Sequence, residues 1–116
     1  MKKSFYYASK GIRHTWKHEQ NFRIHILVAV GIFILAQLLR VSLLEQTILV
    51  VVIGAVIGLE LINTAFEHMV DLVVQTYDER AKIIKDVAAG AVFAFALTAA
   101  IVGCLIFVPR LLALFF

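Results

Sequence analysis

The chain has 116 residues, is 62% hydrophobic with a mean hydropathy of +0.94, and carries a formal charge of +3. A domain this short cannot hide so much apolar side chain in its own core, which excludes a water-soluble monomer and requires lipid or other subunits to cover it. The basic balance does not point to nucleic acid. Six of the eleven Lys and Arg precede Ile24, beside a hydrophobic span, a placement that suits anionic lipid headgroups.

Residues 1–22 contain no span. Phe5, Ile12, Trp16 and Phe22 recur with helical spacing among Lys3, Lys10, Arg13 and Lys17. This predicts an amphipathic helix on the membrane surface, its tryptophan at headgroup level. No apolar run or small-residue cleavage site follows Lys2 and Lys3, so the segment does not read as a signal peptide.

The first predicted span covers 24–44: Ile24 to Leu39 is uncharged, and apolar character resumes from Val41 after Arg40, which can snorkel. The connection from Arg40 to Gln46 is tight enough to force an antiparallel hairpin. A second span covers 46–70, uncharged as far as Leu59. Gln75 to Asp86 carries Asp78, Glu79, Arg80, Lys82 and Lys85 and reads as a solvated loop or helix extension. The third span covers 86–109, with Pro109 and Arg110 marking its end. No repeat or linker divides the chain, so 1–116 is one membrane domain. Cys104 stands alone in an apolar run and is expected to pack rather than ligate.

The N-terminal arm and the second loop hold most of the positive charge, which places both in the cytoplasm of a plasma-membrane protein. That orientation matters for one polar stripe. At about 100° per residue, Glu60, Asn63, Glu67 and Asp71 fall within roughly 80° of one another on the second span. Ionisable groups at membrane depth are costly and mark function. Counting about 1.5 Å per residue from Gln46 puts Glu60 just inside the oil, Asn63 near the boundary, and Glu67 and Asp71 among the headgroups. Glu19 closes the arm at the same face, and Lys85 and Asp86 open the third span there.

Several carboxylates without thiol ligands suit a hard cation such as Mg²⁺. A lysine at a helix N-terminus suits phosphate, and a carboxylate at the oil boundary can act as a general base. Together they point to phosphoryl transfer onto a lipid hydroxyl. No glycine-rich phosphate loop is present. His14, His18, His25 and His68 read as interfacial or packing residues.

At these residues the chain closely resembles the bacterial integral-membrane diacylglycerol kinase and undecaprenol kinase family. The resemblance rests on Glu60-Leu-Ile-Asn-Thr-Ala-Phe-Glu67-His-Met-Val-Asp71, on Ala81-Lys82 through Lys85-Asp86, and on Glu19-Gln-Asn-Phe-Arg-Ile-His25. It implies an all-α homotrimer, with a surface helix and three transmembrane helices per subunit and active sites shared between subunits on the cytoplasmic side. It further implies ATP as co-substrate. Glu60 would take the proton of the lipid hydroxyl it binds, and Glu19 and Glu67 would hold Mg²⁺ on the ATP phosphates. Lys85 would hold phosphate with Asp86 beside it, while Asn63 and Asp71 orient the site. Tyr7 and the Thr76-Tyr77-Asp78 loop would line the nucleotide.

Some positions depart from the family's best-known diacylglycerol kinases. Their arginine near the start of the surface helix has no clear equivalent here, Lys3 being a poor substitute, Ala89 replaces a serine after the lysine–aspartate pair, and the Gln75 to Arg80 loop differs. Asn21 to His25 resembles the undecaprenol branch, which makes undecaprenol the expected acceptor and diacylglycerol the alternative. A proton or cation channel would need a polar line through the whole membrane, yet only Thr47 adds a polar side chain between Gln46 and Leu59. A non-catalytic assembly partner would bind no ATP.

Overall fold

Backbone groups in lipid must be satisfied within their own segment, and this chain does so with helices alone. The computed structural model describes residues 1–116 as four helices: α1 (Lys2–His18), α2 (Gln20–Leu38), α3 (Leu43–Val73) and α4 (Glu79–Phe115). Each of α2, α3 and α4 is long and apolar enough to cross a membrane. At about 1.5 Å per residue, α3 and α4 exceed a hydrocarbon core of about 30 Å, so their ends project into the headgroup layers. Helix α3 is the one against which α1, α2 and α4 all pack. Only 14 of the 116 residues are buried, and Leu27, Val51, Phe93 and Leu105 point outward. The single chain therefore leaves its apolar surface to lipid or to other subunits.

The helix ends differ from the sequence expectation, each for a local reason. Helix α2 starts at Gln20 rather than Ile24 and stops at Leu38 instead of reaching Leu44. Its stop is a Schellman turn: Val41 N–H donates to Ala36 C=O at 3.0 Å and Arg40 N–H to Gln37 C=O at 3.2 Å. Arg40 occupies the left-handed position, φ 53°, where glycine is usual. Val41 and Ala36 are buried against each other's turn in a cluster with Leu49, Ile106 and Phe107, so apolar packing locks the corner.

Helix α3 then begins on a Ser-x-x-Glu cap. Ser42 Oγ accepts from Glu45 N–H at 3.2 Å and donates to Glu45 Oε1 at 2.8 Å. Helix α4 starts at Glu79, before Asp86, and runs through Pro109 to Phe115. Proline removes one backbone donor and crowds the preceding turn. Here Arg110 Nη1 donates back to Ile106 C=O at 3.1 Å and both its amines reach Glu45. The side chain thus ties α4 to the start of α3 just past the proline.

Candidate active site

Apolar positions of α3 face α2 and α4, and the polar stripe shares part of that inward face. Glu60 is 5% exposed, Asn63 9% and Thr64 6%. Glu67 is half-buried and Asp71 exposed. The stripe is therefore graded, dry at Glu60 and wet at Asp71. Asn63 Nδ2 donates to Glu67 Oε1 at 3.3 Å, one turn along. Asn63 Oδ1 is buried with no hydrogen-bond partner. An unsatisfied buried acceptor costs about 1–3 kcal/mol, so this oxygen is an open position for a donor brought from outside the chain.

Glu19 stands at the elbow between α1 and α2 with extended backbone, φ −114° and ψ 109°. Arg23 secures that elbow, its Nη1 donating to Trp16 C=O at 2.8 Å and Lys17 C=O at 3.1 Å. These are orphan carbonyls at the end of α1, and a guanidinium suits them. The elbow turns Glu19 toward α3, where His68 Nε2 lies 3.9 Å from Glu19 Oε1. Deeper in the membrane, His25 Nε2 of α2 lies 3.8 Å from Glu60 Oε2. The charges of Glu67 and Glu19 also bear on Glu60. Glu60, Asn63 and Glu67 on α3, with His25 of α2 and the Glu19 elbow held across from them through two histidine–carboxylate contacts, make up the Glu60 cluster.

The two histidines correct the sequence reading, which gave them packing or interfacial roles. His25 and His68 each face a carboxylate of the expected site. His14 stacks on His18 with ring centroids 4.2 Å apart and meets the edge of His68 at 5.9 Å. A signal was available. In antiparallel helices, His25 lies about 9 Å deeper than Glu19, and Glu60 about 12 Å deeper than His68, at about 1.5 Å per residue. Anchoring the elbow at the headgroups pairs both sets across the helix contact.

The start of α4 supplies the cations. Lys85 Nζ donates to Asp71 Oδ1 at 2.5 Å, and Lys82 Nζ to Asp86 Oδ2 at 2.6 Å. Asp71 is thus clasped to Lys85 across two helices, while Asp86 pairs with Lys82 rather than with its neighbour Lys85. Asp78 caps α4, its Oδ1 accepting from Arg80 N–H at 2.8 Å. The Arg80 side-chain hydrogen bonds, followed by that backbone N–H, hold the Asp78 carboxyl below the usual carboxylate range. The Tyr77 hydroxyl donates to Glu79 Oε2 at 2.6 Å, which pushes its pKa up. Thr76 is exposed and makes no side-chain hydrogen bond. Tyr7 is 64% exposed and touches the edge of Tyr6. No hydrogen bond or ion pair joins Tyr7, Thr76, Tyr77, Asp78 or Asp86 to the Glu60 cluster within one chain.

No three His, Cys, Asp or Glu side chains form a ready-made metal cage. The donor set nonetheless fits Mg²⁺, which takes one or two carboxylates and fills its remaining positions with water and substrate phosphate. Glu19 and Glu67 would be those carboxylates. Next to the cluster runs an apolar groove of about 530 Å³, framed by Val28 of α2, Val56 of α3 and Ala100 and Gly103 of α4. His25 also lines it. The arrangement offers an oily seat reached by His25, a buried carboxylate facing that histidine, oxygen donors for a hard cation, and a lysine held by Asp71 about three turns of α3 beyond Glu60.

The family model described as Prokaryotic diacylglycerol kinase matches residues 6–107. The chain is 44% identical to an undecaprenol kinase of Bacillus subtilis over 109 residues, covering 94% of this chain and 89% of that protein. It is also 44% identical to a diacylglycerol kinase of Synechocystis over 112 residues, 96% of this chain but only 64% of that longer protein. To a diacylglycerol kinase of Escherichia coli K12 it is 30% identical over 103 residues, 86% of this chain and 82% of that one.

Proposed function

From the premise that the chain belongs to the prokaryotic diacylglycerol kinase family, we propose that it is a Mg²⁺-dependent kinase that transfers the γ-phosphoryl group of ATP to the hydroxyl of undecaprenol. The observation that carries this reading is the buried Glu60 carboxylate, which faces His25 where that residue lines the apolar groove and which shares its helix face with Asn63 and Glu67. A lipid alcohol seated in the groove presents its hydroxyl at the groove end where His25 and Glu60 meet. Glu60 takes the hydroxyl proton as the oxygen bonds to the γ-phosphorus, and the bond to the bridging oxygen breaks to release ADP. Lys85 binds phosphate oxygens as a point charge. Asn63 holds Glu67 in place and offers its free Oδ1 to a donor of the bound reactants. Glu19 and Glu67 would hold Mg²⁺, which when bound would supply charge neutralisation for the transferring phosphate.

The active protein is a homotrimer with its N-terminus and sites on the cytoplasmic face, α1 lying along the surface. The small buried fraction of one chain supports this, as does the lack of any hydrogen bond or ion pair within one chain from Tyr7 or the 76–78 loop to the Glu60 cluster. A neighbouring subunit would bring the latter in over ATP. Undecaprenol is favoured over diacylglycerol because the undecaprenol kinase relative is covered almost end to end. The test is transfer of radiolabelled phosphate from ATP to the two lipids side by side in mixed micelles. Faster labelling of undecaprenol is expected. Faster labelling of diacylglycerol would reverse the substrate, and labelling of neither would overturn the kinase reading.

A further inference from the structure

We propose that His25 is a positioning residue for phosphoryl transfer, acting through Glu60. It fixes one carboxylate oxygen so that the other faces the acceptor hydroxyl, and it draws off the proton Glu60 receives. The inference rests on Glu60 being the base.

Four observations carry it. The Glu60 side chain is only 6% exposed, yet no Lys or Arg pairs with it, and His25 is the sole basic group within ion-pair reach. No side chain donates a hydrogen bond to its carboxylate, because Asn63 spends its amide on Glu67. The remaining charges bearing on Glu60, those of Glu67 and Glu19, are of like sign and cannot orient it by attraction. The His25 side chain is 28% exposed and lines the groove, so it stands between the dry carboxylate and the seat of the lipid. The 3.8 Å separation is longer than a hydrogen bond. Catalytic contacts of this kind commonly tighten when substrate binds.

The step balances without a further reagent. The acceptor oxygen bonds to the γ-phosphorus, the bridging bond breaks, and its electron pair leaves with ADP. The hydroxyl proton passes to Glu60, then to His25 Nε2, and from the imidazolium to water at the headgroup boundary.

A double-mutant cycle on the full chain in undecaprenol mixed micelles tests this, with unfolding midpoints recorded for every variant. His25→Leu should lower kcat about 10- to 100-fold, the range of proton-transfer effects, with KM for ATP and lipid within about twofold. His25→Gln keeps an N–H donor and should give a kcat between the parent and His25→Leu. In a Glu60→Asp background, whose carboxylate is withdrawn from His25, adding His25→Leu should change kcat by less than about twofold. Losses that simply multiply would overturn the inference, as would an effect confined to KM or a kcat for His25→Gln no better than for His25→Leu. If His25→Leu does not fold, His25→Gln carries the cycle and parent-like kcat refutes the role. Full turnover by Glu60→Gln would instead refute Glu60 as base, a separate result.

Discussion

Lys85 Nζ and Asp71 Oδ1 stand 2.5 Å apart, joining the start of α4 to the last turns of α3. The Asp71 side chain is 65% exposed, so the pair contributes at most about 1 kcal/mol to stability. Its consequence is positional, since it holds an ammonium on the stripe side of α3, about three turns beyond Glu60. Lys85→Met should therefore lower kcat/KM for ATP about 10- to 100-fold, the value of a hydrogen bond to a charged group. Asp71→Asn should cost less, because the ammonium remains. Steady-state kinetics with varied ATP check both, and a loss larger for Asp71→Asn would contradict the assignment.

Glu19 and Glu67 as the metal carboxylates predict a titratable requirement. Chelation should abolish turnover and added Mg²⁺ restore it. Glu19→Gln and Glu67→Gln should each raise the Mg²⁺ concentration for half-maximal rate by about tenfold or more, since a ligand is lost outright. Turnover measured against free Mg²⁺ decides the matter. An unchanged half-saturation in either variant would remove that residue from the metal site.

The outer face should affect stability without affecting chemistry. Arg40 takes a left-handed backbone that costs a non-glycine residue about 1 kcal/mol or more. Arg40→Gly relieves it and should raise unfolding free energy by up to about 1 kcal/mol. Arg110→Met breaks the double contact with Glu45 and frees Ile106 C=O, so it should lower the unfolding midpoint. Denaturation in detergent reads both, with kcat in the folded state unchanged.

Asp78 gives a pH dependence with a fixed sign. Its carboxyl is held below the usual range by Arg80, so the cap it provides is fully present above an unfolded pKa near about 3.9 and is lost as pH falls through the lower folded value. Amide exchange of Arg80 should stay slow below the pH at which an ordinary aspartate would be protonated, and speed up only at stronger acid. Asp78→Ala should exchange fast at every pH.

Much of this was legible in the sequence, and the exceptions have physical causes. Three spans follow from uncharged stretches of membrane length, and Glu60 stood out because a carboxylate on an oily helix is expensive. The stop of α2 at Leu38 was not legible, because it depends on an arginine adopting a conformation usually left to glycine. Helix α4 passes Pro109 although proline removes a backbone donor there, and Arg110, thought to mark its end, instead ties the helix to Glu45 at the start of α3. His25 and His68 were missed because a histidine's role depends on what faces it across a helix contact. Neither Tyr7 nor the 76–78 loop is joined to the cluster by a hydrogen bond or ion pair within one chain, and a sequence does not say what another subunit would bring.

The central claim is that Glu60 is the base for transfer to undecaprenol. Its most direct test is the rate of radiolabelled phosphate transfer from ATP to undecaprenol by Glu60→Gln, which is nearly isosteric and keeps the buried site filled. A loss of about 100-fold or more in kcat, with the unfolding midpoint and ATP binding retained, is the predicted result. A folded Glu60→Gln protein that turns over at the parent rate would contradict it.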